Sequence, residues 1–485
     1  MNTEIFKHEH LAERGLNMEE APKSSQHTLP WMRSAVDINK FKDCNLHAIP
    51  FLSKKLITAL EKQGFSYLLP VQIAVWVETI GPGGFARDLC VNSPTGSGKT
   101  LAYSLPVVQA LSRRSFKCIR ALVVLPTRDL AFQVKEVFES IAPAVGLSVG
   151  LAVGKSSLSQ EISELLRKPK TEASICYDLE APAPTQSAID ILIATPGRLM
   201  DHITSTEGFT LQHLQYLVVD ETDRLLRESY QSWLPAVLTR VSGRLMKMAF
   251  SATITKNPTK IGQLELHHPL YMSAGLMRYK LPQNLHSYKL ICEPNLKPLY
   301  LVSLLQTFSG EKTIVFSSSL EATHRLCVLL NFFPDLKCKI VEYSGLQRQS
   351  LRSKTLKGFR KGEIDVLVSS DAMTRGMDVE GVVNVVNYDI PVYIKTYVHR
   401  AGRTARAGQK GRCFTILSQD EVGRFNKMMK KAENSDCDKH TIPESVIESF
   451  RPSYASALEE FKEFINKEAL NKSKVTSWTG KRKTK

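Results

Sequence analysis

The sequence lacks the features of a secreted, zinc-stabilised or membrane-spanning protein. Its nine cysteines include no Cys-x-x-Cys pair, so the spacing typical of a zinc site is missing, and we expect free thiols in a reducing compartment. No apolar run approaches the length of a membrane span, and the charged first residues contain no signal-peptide core. We therefore expect a protein of the cytosol or nucleus that does not bind membranes.

Acidic residues are scarce relative to basic ones. The 485-residue chain has 48 aspartate and glutamate residues against 64 lysines and arginines, which gives a formal net charge of +16. A charge of this size predicts a polyanionic partner, most simply nucleic acid. A surface that is merely charged for solubility would have the same composition, so the charge alone leaves both interpretations open.

Apolar runs alternate with helical patterns in two successive stretches of the chain. Runs such as 121–125 in the first stretch and 364–369 in the second are typical of parallel strands covered on both faces. The alternation predicts two α/β domains of similar plan, at 41–273 and 286–432, joined by a linker at 274–285.

Three further segments lie outside this alternation. Residues 1–40 are polar and lack periodicity, so we expect little order there. Residues 155–187 have the character of a polar surface insertion in the first domain, with a helix near its start. Residues 433–485 predict a helical and basic C-terminal tail, whose charges are either solvated or in weak contact with phosphates.

The run Ser-Pro-Thr-Gly-Ser-Gly-Lys-Thr at 93–100 is the strongest local motif. It follows a strand-like stretch and precedes a helical pattern, an arrangement that binds the phosphates of a nucleoside triphosphate. Gly96 and Gly98 let consecutive N–H groups face an anion. Lys99 can reach the β- and γ-phosphates, and the Thr100 hydroxyl can bind Mg²⁺. Taken alone, the run could also be an ordinary glycine-rich turn.

Acidic residues end one of the predicted strands of the first domain. Asp220 and Glu221 follow the apolar run 216–219, and ligands bind at the carboxyl ends of strands in open α/β sheets. Asp220 can hold Mg²⁺ through its water shell, while Glu221 can orient and deprotonate an attacking water. Downstream of a phosphate-binding loop, this pair predicts hydrolysis of a nucleoside triphosphate.

With these motifs, residues 45–430 resemble a DEAD-box ATP-dependent RNA helicase of helicase superfamily two. Further motifs occur in that family's order, at 64–65, 70–72, 126–130, 195–198, 251–253, 315–317, 349–352, 370–371, 375–378 and 399–406. The resemblance implies an α/β fold of two tandem RecA-like domains, each a parallel sheet flanked by helices. It also implies that these domains close on RNA and separate short duplexes as ATP is hydrolysed.

The family's functional residues can be carried onto the matching positions of this chain. The resemblance places ATP against Phe65, Gln72, Ser93, Pro94, Thr95, Gly96, Ser97, Gly98, Lys99, Thr100, Asp220 and Asp378, with Mg²⁺ held largely through water by Thr100 and Asp220. It makes Glu221 catalytic, with Arg403 and Arg406 as arginine fingers. The resemblance assigns the coupling of hydrolysis to domain closure to Ser251 and Thr253. Contacts to the RNA backbone are given to Thr127, Arg128, Gly154, Thr195, Gly197, Arg198, Gln349, Arg352 and Ser370.

The chain departs from the family pattern at several positions. Thr222 stands where the family name has alanine, and Asp129 replaces a glutamate. Ala405 replaces a glycine between the two arginine fingers, where its methyl group restricts φ. For the aromatic residue that stacks on adenine, the candidates are Phe51 and His47.

Within the family, the runs 70–72, 231–235 and 402–406 resemble the nucleolar helicases of large ribosomal subunit assembly. The sequence therefore predicts an RNA-stimulated ATPase of the nucleus and nucleolus, monomeric, which acts on pre-ribosomal RNA together with ribosome assembly factors. Two alternatives stay open. One is an RNA-binding assembly factor with weak turnover, motivated by Thr222, by Ala405 and by the run 153–155, which has one glycine where the family has a Gly-Gly turn. The other is a DNA-translocating helicase.

Overall fold

Two parallel sheets, one in each half of the chain, form the framework of this computed structural model. The structure describes residues 29–94, 96–154, 156–167, 186–226, 232–254, 257–274, 281–282, 284–371, 379, 381–406, 409–431 and 437–480.

The strands alternate with helices along most of the described chain. Strands of the first half are β1 (Val36–Asp37), β2 (Cys44–Asn45), β3 (Tyr67–Leu68), β4 (Leu89–Asn92), β5 (Ala121–Val124), β6 (Val149–Ala152), β7 (Leu166–Arg167), β8 (Gln186–Ser187), β9 (Ile191–Ala194), β10 (Tyr216–Asp220), β11 (Met246–Ser251) and β12 (Leu270–Ser273). Strands of the second half are β13 (Leu285–Ile291), β14 (Thr313–Ser317), β15 (Ile340–Tyr343), β16 (Val366–Ser370), β17 (Asn384–Asn387), β18 (Gly411–Leu417) and β19 (Cys437–Lys439).

The helices connect successive strands. Those of the first half are α1 (Lys54–Glu61), α2 (Pro70–Ile80), α3 (Lys99–Leu111), α4 (Arg128–Ile141), α5 (Leu158–Leu165), α6 (Pro196–Ser205), α7 (Thr222–Leu225), α8 (Trp233–Leu238) and α9 (Pro258–Gly262). Those of the second half are α10 (Lys297–Thr307), α11 (Leu320–Asn331), α12 (Gln349–Lys361), α13 (Ile394–Ala401), α14 (Glu421–Lys431), α15 (Glu444–Ser449) and α16 (Arg451–Gly480).

Both large sheets contain only parallel strand pairs. The first has the order β1-β12-β4-β11-β10-β5-β9-β6, and the second has the order β15-β16-β14-β17-β18-β13-β19. Parallel neighbours need crossover connections, which the intervening helices supply. The predicted pair of parallel-sheet α/β domains is confirmed.

Each face of a sheet has its own hydrophobic cluster. In β4, Leu89 and Val91 belong to one cluster and Cys90 to another, as successive side chains of a strand point to opposite faces. In β16 of the second domain, Val366 and Leu367 divide between two clusters in the same way. Burial on both faces explains why these strands are continuous apolar runs in the sequence.

The N-terminal boundary needs correction. The sequence predicts little order over 1–40, yet residues 29–40 form short elements that pack on the first sheet. Met32 is buried in the cluster that includes Tyr271, and β1 pairs in parallel with β12. Single helical turns and a two-residue strand leave no periodic pattern, so this part was not detectable. Residues 1–28 lie outside the described residues.

The described residues include parts of the predicted insertion and of the predicted C-terminal tail. The helix expected near the start of the insertion is α5, which leads into an antiparallel pairing of β7 with β8. In the tail, α16 packs on α11, where the rings of Phe464 and Phe332 lie 6.1 Å apart. Among the helices in the described ranges, none is long and apolar enough to cross a membrane. Most of the predicted linker lies outside the described residues.

Candidate nucleotide site and the cleft between the domains

The glycine-rich loop connects the end of β4 to the start of α3, as the sequence predicts. Gly98 has a φ of 85°, in the left-handed region that favours glycine. The Lys99 ammonium donates hydrogen bonds to the carbonyl oxygens of Ser93 at 2.9 Å and Pro94 at 2.7 Å. These bonds hold the lysine against the loop that would surround a phosphate group. Two predicted ATP-site residues, Thr95 and Asp378, lie outside the described residues.

Gln72 supports this loop from α2. Its Oε1 accepts a hydrogen bond from the backbone N–H of Leu69 at 2.8 Å, and its Nε2 donates to the Gly98 carbonyl at 3.2 Å. A Cβ on Gly98 would lie 2.4 Å from that Nε2, so the close approach requires glycine. The residue predicted to read adenine is therefore in contact with the phosphate loop. Phe65, which the resemblance also places against ATP, is 41% exposed.

The two candidates for stacking on adenine differ in conformation. Phe51 is 71% exposed and has a φ of 64°, which is costly for a bulky residue and typical of binding sites. His47 is also exposed, and its Nε2 lies 2.8 Å from Glu61 Oε1. The exposed ring and the left-handed backbone of Phe51 make it the stronger candidate.

Three carboxylates, Asp220, Glu221 and Asp223, follow one another at the end of β10. Asp220 Oδ1 accepts a hydrogen bond from the Glu221 N–H at 2.8 Å, and its Oδ2 accepts one from the Tyr103 hydroxyl at 3.1 Å. Burial and the neighbouring Glu221 raise the pKa of Asp220 to about 6. Glu221 Oε2 is buried and has no hydrogen-bond partner within the described part of the chain. Such an oxygen is suited to binding a water.

The loop lysine interacts electrostatically with both domains. Burial lowers the pKa of Lys99 to about 8, the acids at the end of β10 oppose that shift, and Arg403 and Arg406 of the second domain add to it. A Cβ on Gly96 would lie 2.7 Å from Arg406 Cγ, so the arginine packs directly on the loop. The structure thus brings Arg406 to the phosphate loop, and the charge of Arg403 acts on the loop lysine.

Thr222, in the place of the family's alanine, is fully accommodated. It is buried, and its hydroxyl donates to the carbonyl oxygens of Val219 at 2.8 Å and Phe250 at 3.0 Å. These bonds tie the end of β10 to the end of β11. The extra hydroxyl is therefore satisfied by backbone carbonyl groups.

Asp223 joins the predicted coupling residues to the second domain. Ser251 Oγ donates to Asp223 Oδ1 at 2.6 Å, and Thr253 Oγ1 lies 3.5 Å from Asp223 Oδ2. From the second domain, His399 Nε2 lies 3.5 Å from Thr253 Oγ1, and Lys395 forms an ion pair with Asp223. Sequence reasoning missed Lys395, which stands outside the motifs.

The arginines of the last helical motif have separate environments. Arg400 is fully buried, with its Nε 2.5 Å from Asp371 Oδ1 and its Nη1 donating to Asn387 Oδ1 at 3.2 Å. It therefore stabilises the second domain internally. Arg403 Nε donates to the His399 carbonyl at 3.1 Å, which fixes that side chain along α13.

Ala405 lies between the two predicted fingers in a left-handed conformation. Its φ is 54°, a value that suits the glycine it replaces. The preceding Thr404 anchors the backbone, because its hydroxyl donates to the carbonyl oxygens of Val382 at 2.7 Å and Val383 at 2.9 Å. The fold therefore imposes the left-handed turn whichever residue occupies it.

The first-domain candidates for RNA contact lie together at the ends of three neighbouring strands. They are Thr127 and Arg128 after β5, Thr195, Gly197 and Arg198 after β9, and Gly154 after β6. A Cβ on Gly154 would approach Arg198 Nε to 3.1 Å and Arg128 Nη2 to 3.3 Å. The structure thus gathers two guanidinium groups around one glycine.

A buried carboxylate that the sequence analysis missed organises this group. Glu161 Oε1 accepts a hydrogen bond from the Gly154 N–H at 2.9 Å, and its Oε2 lies 3.2 Å from Arg198 Nε. The same Oε2 lies 3.1 Å from Nε2 of His202, a fully buried side chain whose Nδ1 is 3.0 Å from Thr206 Oγ1. Arg198 and His202 lie on α6, whereas Glu161 lies on α5. No local sequence pattern therefore indicates the role of Glu161.

The second-domain candidates for RNA contact face the first domain. Gln349 Nε2 donates a hydrogen bond to Asp129 Oδ1, and Arg352 Nη2 lies 3.9 Å from Asp129 Oδ2. Both side chains therefore form a contact between the domains here. Ser370 ends β16, and its hydroxyl is buried with no hydrogen-bond partner in the described ranges.

Comparison with known proteins agrees with these motifs. The model of the DEAD/DEAH box helicase family matches residues 69–261, and that of the helicase conserved C-terminal domain matches 296–408. DEAD-box ATP-dependent RNA helicase 1 of Arabidopsis thaliana is 56% identical, with 94% of this chain and 96% of that protein covered. The chain belongs to the DEAD-box ATP-dependent RNA helicases. ATP-dependent RNA helicase DDX51 of Homo sapiens is 36% identical, with 94% of this chain and 74% of that protein covered.

Solved structures confirm the fold of this helicase. Mss116p bound to ssRNA and AMP-PNP matches with a TM-score of 0.71 at 23% identity, over 87% of this chain and 88% of that one. S. cerevisiae Dbp5 bound to RNA and ADP BeF3 matches with a TM-score of 0.65 at 20% identity, over 83% and 98%. The predicted tandem RecA-like domains are therefore confirmed, as is the predicted enzyme class.

Ala405→Gly is expected to raise the free energy of unfolding of the helicase by roughly 0.5–1 kcal/mol, because glycine adopts a left-handed φ without the penalty of a Cβ. The same change at Ala401, buried in the helix α13, should lower it by at least about 1 kcal/mol. Urea denaturation of both variants, followed by circular dichroism, measures the difference. Equal losses in the two variants would mean that Ala405 is not strained.

Glu161→Gln should lower the free energy of unfolding by on the order of 2–3 kcal/mol, because it removes the buried charge that faces Arg198. Glu164→Gln, on the exposed face of the same helix, is the matched control and should change it by less than about 0.5 kcal/mol. Thermal unfolding of the two variants side by side makes the comparison. Indistinguishable midpoints would contradict the assigned role of Glu161.

Proposed function

We propose that this DEAD-box helicase hydrolyses ATP between its two domains and that it acts on pre-ribosomal RNA. The main support is one observation. Lys395 of the second domain pairs with Asp223 at the end of β10, Arg406 packs on the phosphate loop, and His399 lies 3.5 Å from Thr253 of the first domain. A site that draws on both domains is complete only when the domains are together, so hydrolysis and closure are linked.

Glu221 is the proposed general base for the attacking water. Its Oε2 is buried, has no hydrogen-bond partner in the described part of the chain, and can accept a hydrogen bond from a water. Burial beside Lys99 shields the carboxylate from bulk solvent. Arg403 and Arg406 are proposed to stabilise the charge that spreads over the transferred phosphoryl oxygens. Ser251 and Thr253 transmit closure because both contact Asp223, the acid next along from Glu221.

The residues of the loop and of β10 fit a magnesium ion. Thr100 lies in the first turn of α3, and the buried Asp220 has a raised pKa that a nearby cation would lower. Hydroxyl and carboxylate oxygens are the ligands that Mg²⁺ prefers. When bound there through water, the ion would neutralise negative charge on the ATP phosphates.

The proposed RNA surface consists of small, hydroxylated and basic residues at the ends of β5, β9 and β6. Arg128 and Arg198 supply positive charge, and their guanidinium groups lie side by side next to Gly154. Small, hydroxylated and basic groups can donate hydrogen bonds to phosphates and 2′-hydroxyls, so we propose recognition of the sugar–phosphate backbone. Gln349, Arg352 and Ser370 would complete this surface from the second domain.

The proposed substrate is pre-ribosomal RNA in the nucleolus, together with ribosome assembly factors as partners. The support is the resemblance of the runs 70–72 and 402–406 to nucleolar helicases of large ribosomal subunit assembly, and the net charge of +16. The alternative of a factor with weak turnover loses one of the three sequence departures that motivated it, because backbone carbonyls satisfy the Thr222 hydroxyl.

Glu221→Gln should reduce RNA-stimulated ATP turnover by on the order of 10²–10⁴ while ATP binding persists, since only the base is lost. Lys99→Ala should lose ATP binding itself, because the ammonium that faces the phosphates is removed. Steady-state hydrolysis and equilibrium nucleotide binding, with structured RNA or single-stranded DNA, separate these effects. Glu164→Gln serves as the exposed control.

Three results would contradict this account of the site. Turnover by Glu221→Gln at the rate of the unchanged protein would remove the residue from catalysis. No turnover by the unchanged protein with saturating RNA would favour the assembly factor. Equal stimulation by single-stranded DNA would favour the DNA-translocating alternative.

The RNA proposal is tested in cells with the same variants. Because Glu221→Gln should hold ATP and RNA together, RNA crosslinked to it is expected to be enriched in pre-ribosomal sequences relative to RNA crosslinked to Lys99→Ala. Sequencing of the recovered RNA and imaging of the tagged protein give the readouts. Equal recovery of unrelated RNAs, or exclusion of the protein from nucleoli, would contradict a nucleolar substrate.

A further inference from the structure

Lys395 is a second-domain residue that reaches the acids of the first domain. It lies in the first turn of α13, and 23% of its side chain is exposed. Its ammonium forms an ion pair with Asp223 Oδ2, while the other oxygen of Asp223 accepts the hydrogen bond from Ser251. The lysine therefore contacts the same carboxylate as the coupling residues, from the opposite side of the cleft.

The charge of Glu221 also acts on this lysine. Burial lowers the pKa of Lys395 to about 8, and the negative charge of Glu221 opposes that shift. An amine with this pKa is still mostly protonated at neutral pH. The ammonium thus lies in the field of two acids of β10, the one that binds Ser251 and the one proposed to activate water.

We propose that Lys395 is a positioning residue for ATP hydrolysis, which fixes Asp223 from across the cleft and places a positive charge beside Glu221. The proposal rests on the role proposed above for Glu221. Asp220, Glu221 and Asp223 repel one another within a single turn of chain, and a cation from the second domain offsets this repulsion only when the domains meet. Closure would thereby order the acids before the arginines meet the phosphates.

This role differs from that of the two arginines. Arg406 packs on the phosphate loop itself, whereas Lys395 contacts a carboxylate of the protein. Its loss should therefore affect the rate of the chemical step more than the binding of ATP by the first domain. A residue needed only for folding would change both quantities.

The test compares Lys395→Gln, Lys395→Arg and the exposed control Lys427→Gln in the full-length protein. The readouts are kcat and the KM for ATP at saturating structured RNA. We expect Lys395→Gln to lower kcat by about tenfold or more with the KM for ATP within about twofold, and Lys395→Arg to retain most of the rate. An unchanged kcat, an equal loss in the arginine variant, or a parallel change in KM would overturn the proposal.

A double-mutant cycle with Asp223→Asn tests the route of the effect. If Lys395 acts through Asp223, the double variant should be no slower than the slower single variant. Independent, multiplying losses would overturn that route. Failure of the broader function is distinguishable, because an unchanged protein without turnover, or a fully active Glu221→Gln, would contradict the ATPase site itself and not Lys395 alone.

Discussion

Negative charge packed into the end of β10 is the constraint on which the rest of the site depends. Asp220 and Glu221 are almost fully buried, and buried carboxylates need cations or hydrogen-bond donors close by. Within the first domain, the Tyr103 hydroxyl and Lys99 meet part of that need. The second domain contributes a further cation, Lys395 on α13. The interactions that stabilise the ionised acids therefore also favour association of the two domains.

The order of strands in the first sheet gives this constraint a spatial consequence. The functional groups lie along one edge of the sheet in the spatial order of its strands. The phosphate loop follows β4, and next to it are the coupling residues at the end of β11 and the acids at the end of β10. The RNA candidates follow β5, β9 and β6. The acids are thus between the nucleotide and the RNA sides. A shift of β10 relative to β11 would move the acids relative to both the nucleotide site and the RNA candidates. The Thr222 hydroxyl connects the ends of those two strands.

Local motifs could be predicted from the sequence because each is a continuous run with its own backbone requirement. The phosphate loop follows β4 and the acids at 220–221 end β10, as the motifs predict, and Arg406 packs against that loop. Glu161 and Lys395 could not be predicted, because each acts on groups that only the folded sheet or the meeting of the domains brings near. Residues 29–40 were missed for a different reason, since pairing by two residues leaves no pattern.

The short strand β1 has a consequence for how the protein avoids self-association. By pairing with β12, it covers backbone groups that would otherwise form an open edge of the first sheet. Open, apolar strand edges recruit strands from other molecules, and short covering strands are a common natural defence. A chain beginning after Asp37 would expose β12 as the new edge and gain a route to intermolecular sheet formation. The segment in which the sequence predicted little order thus covers an edge of the first sheet.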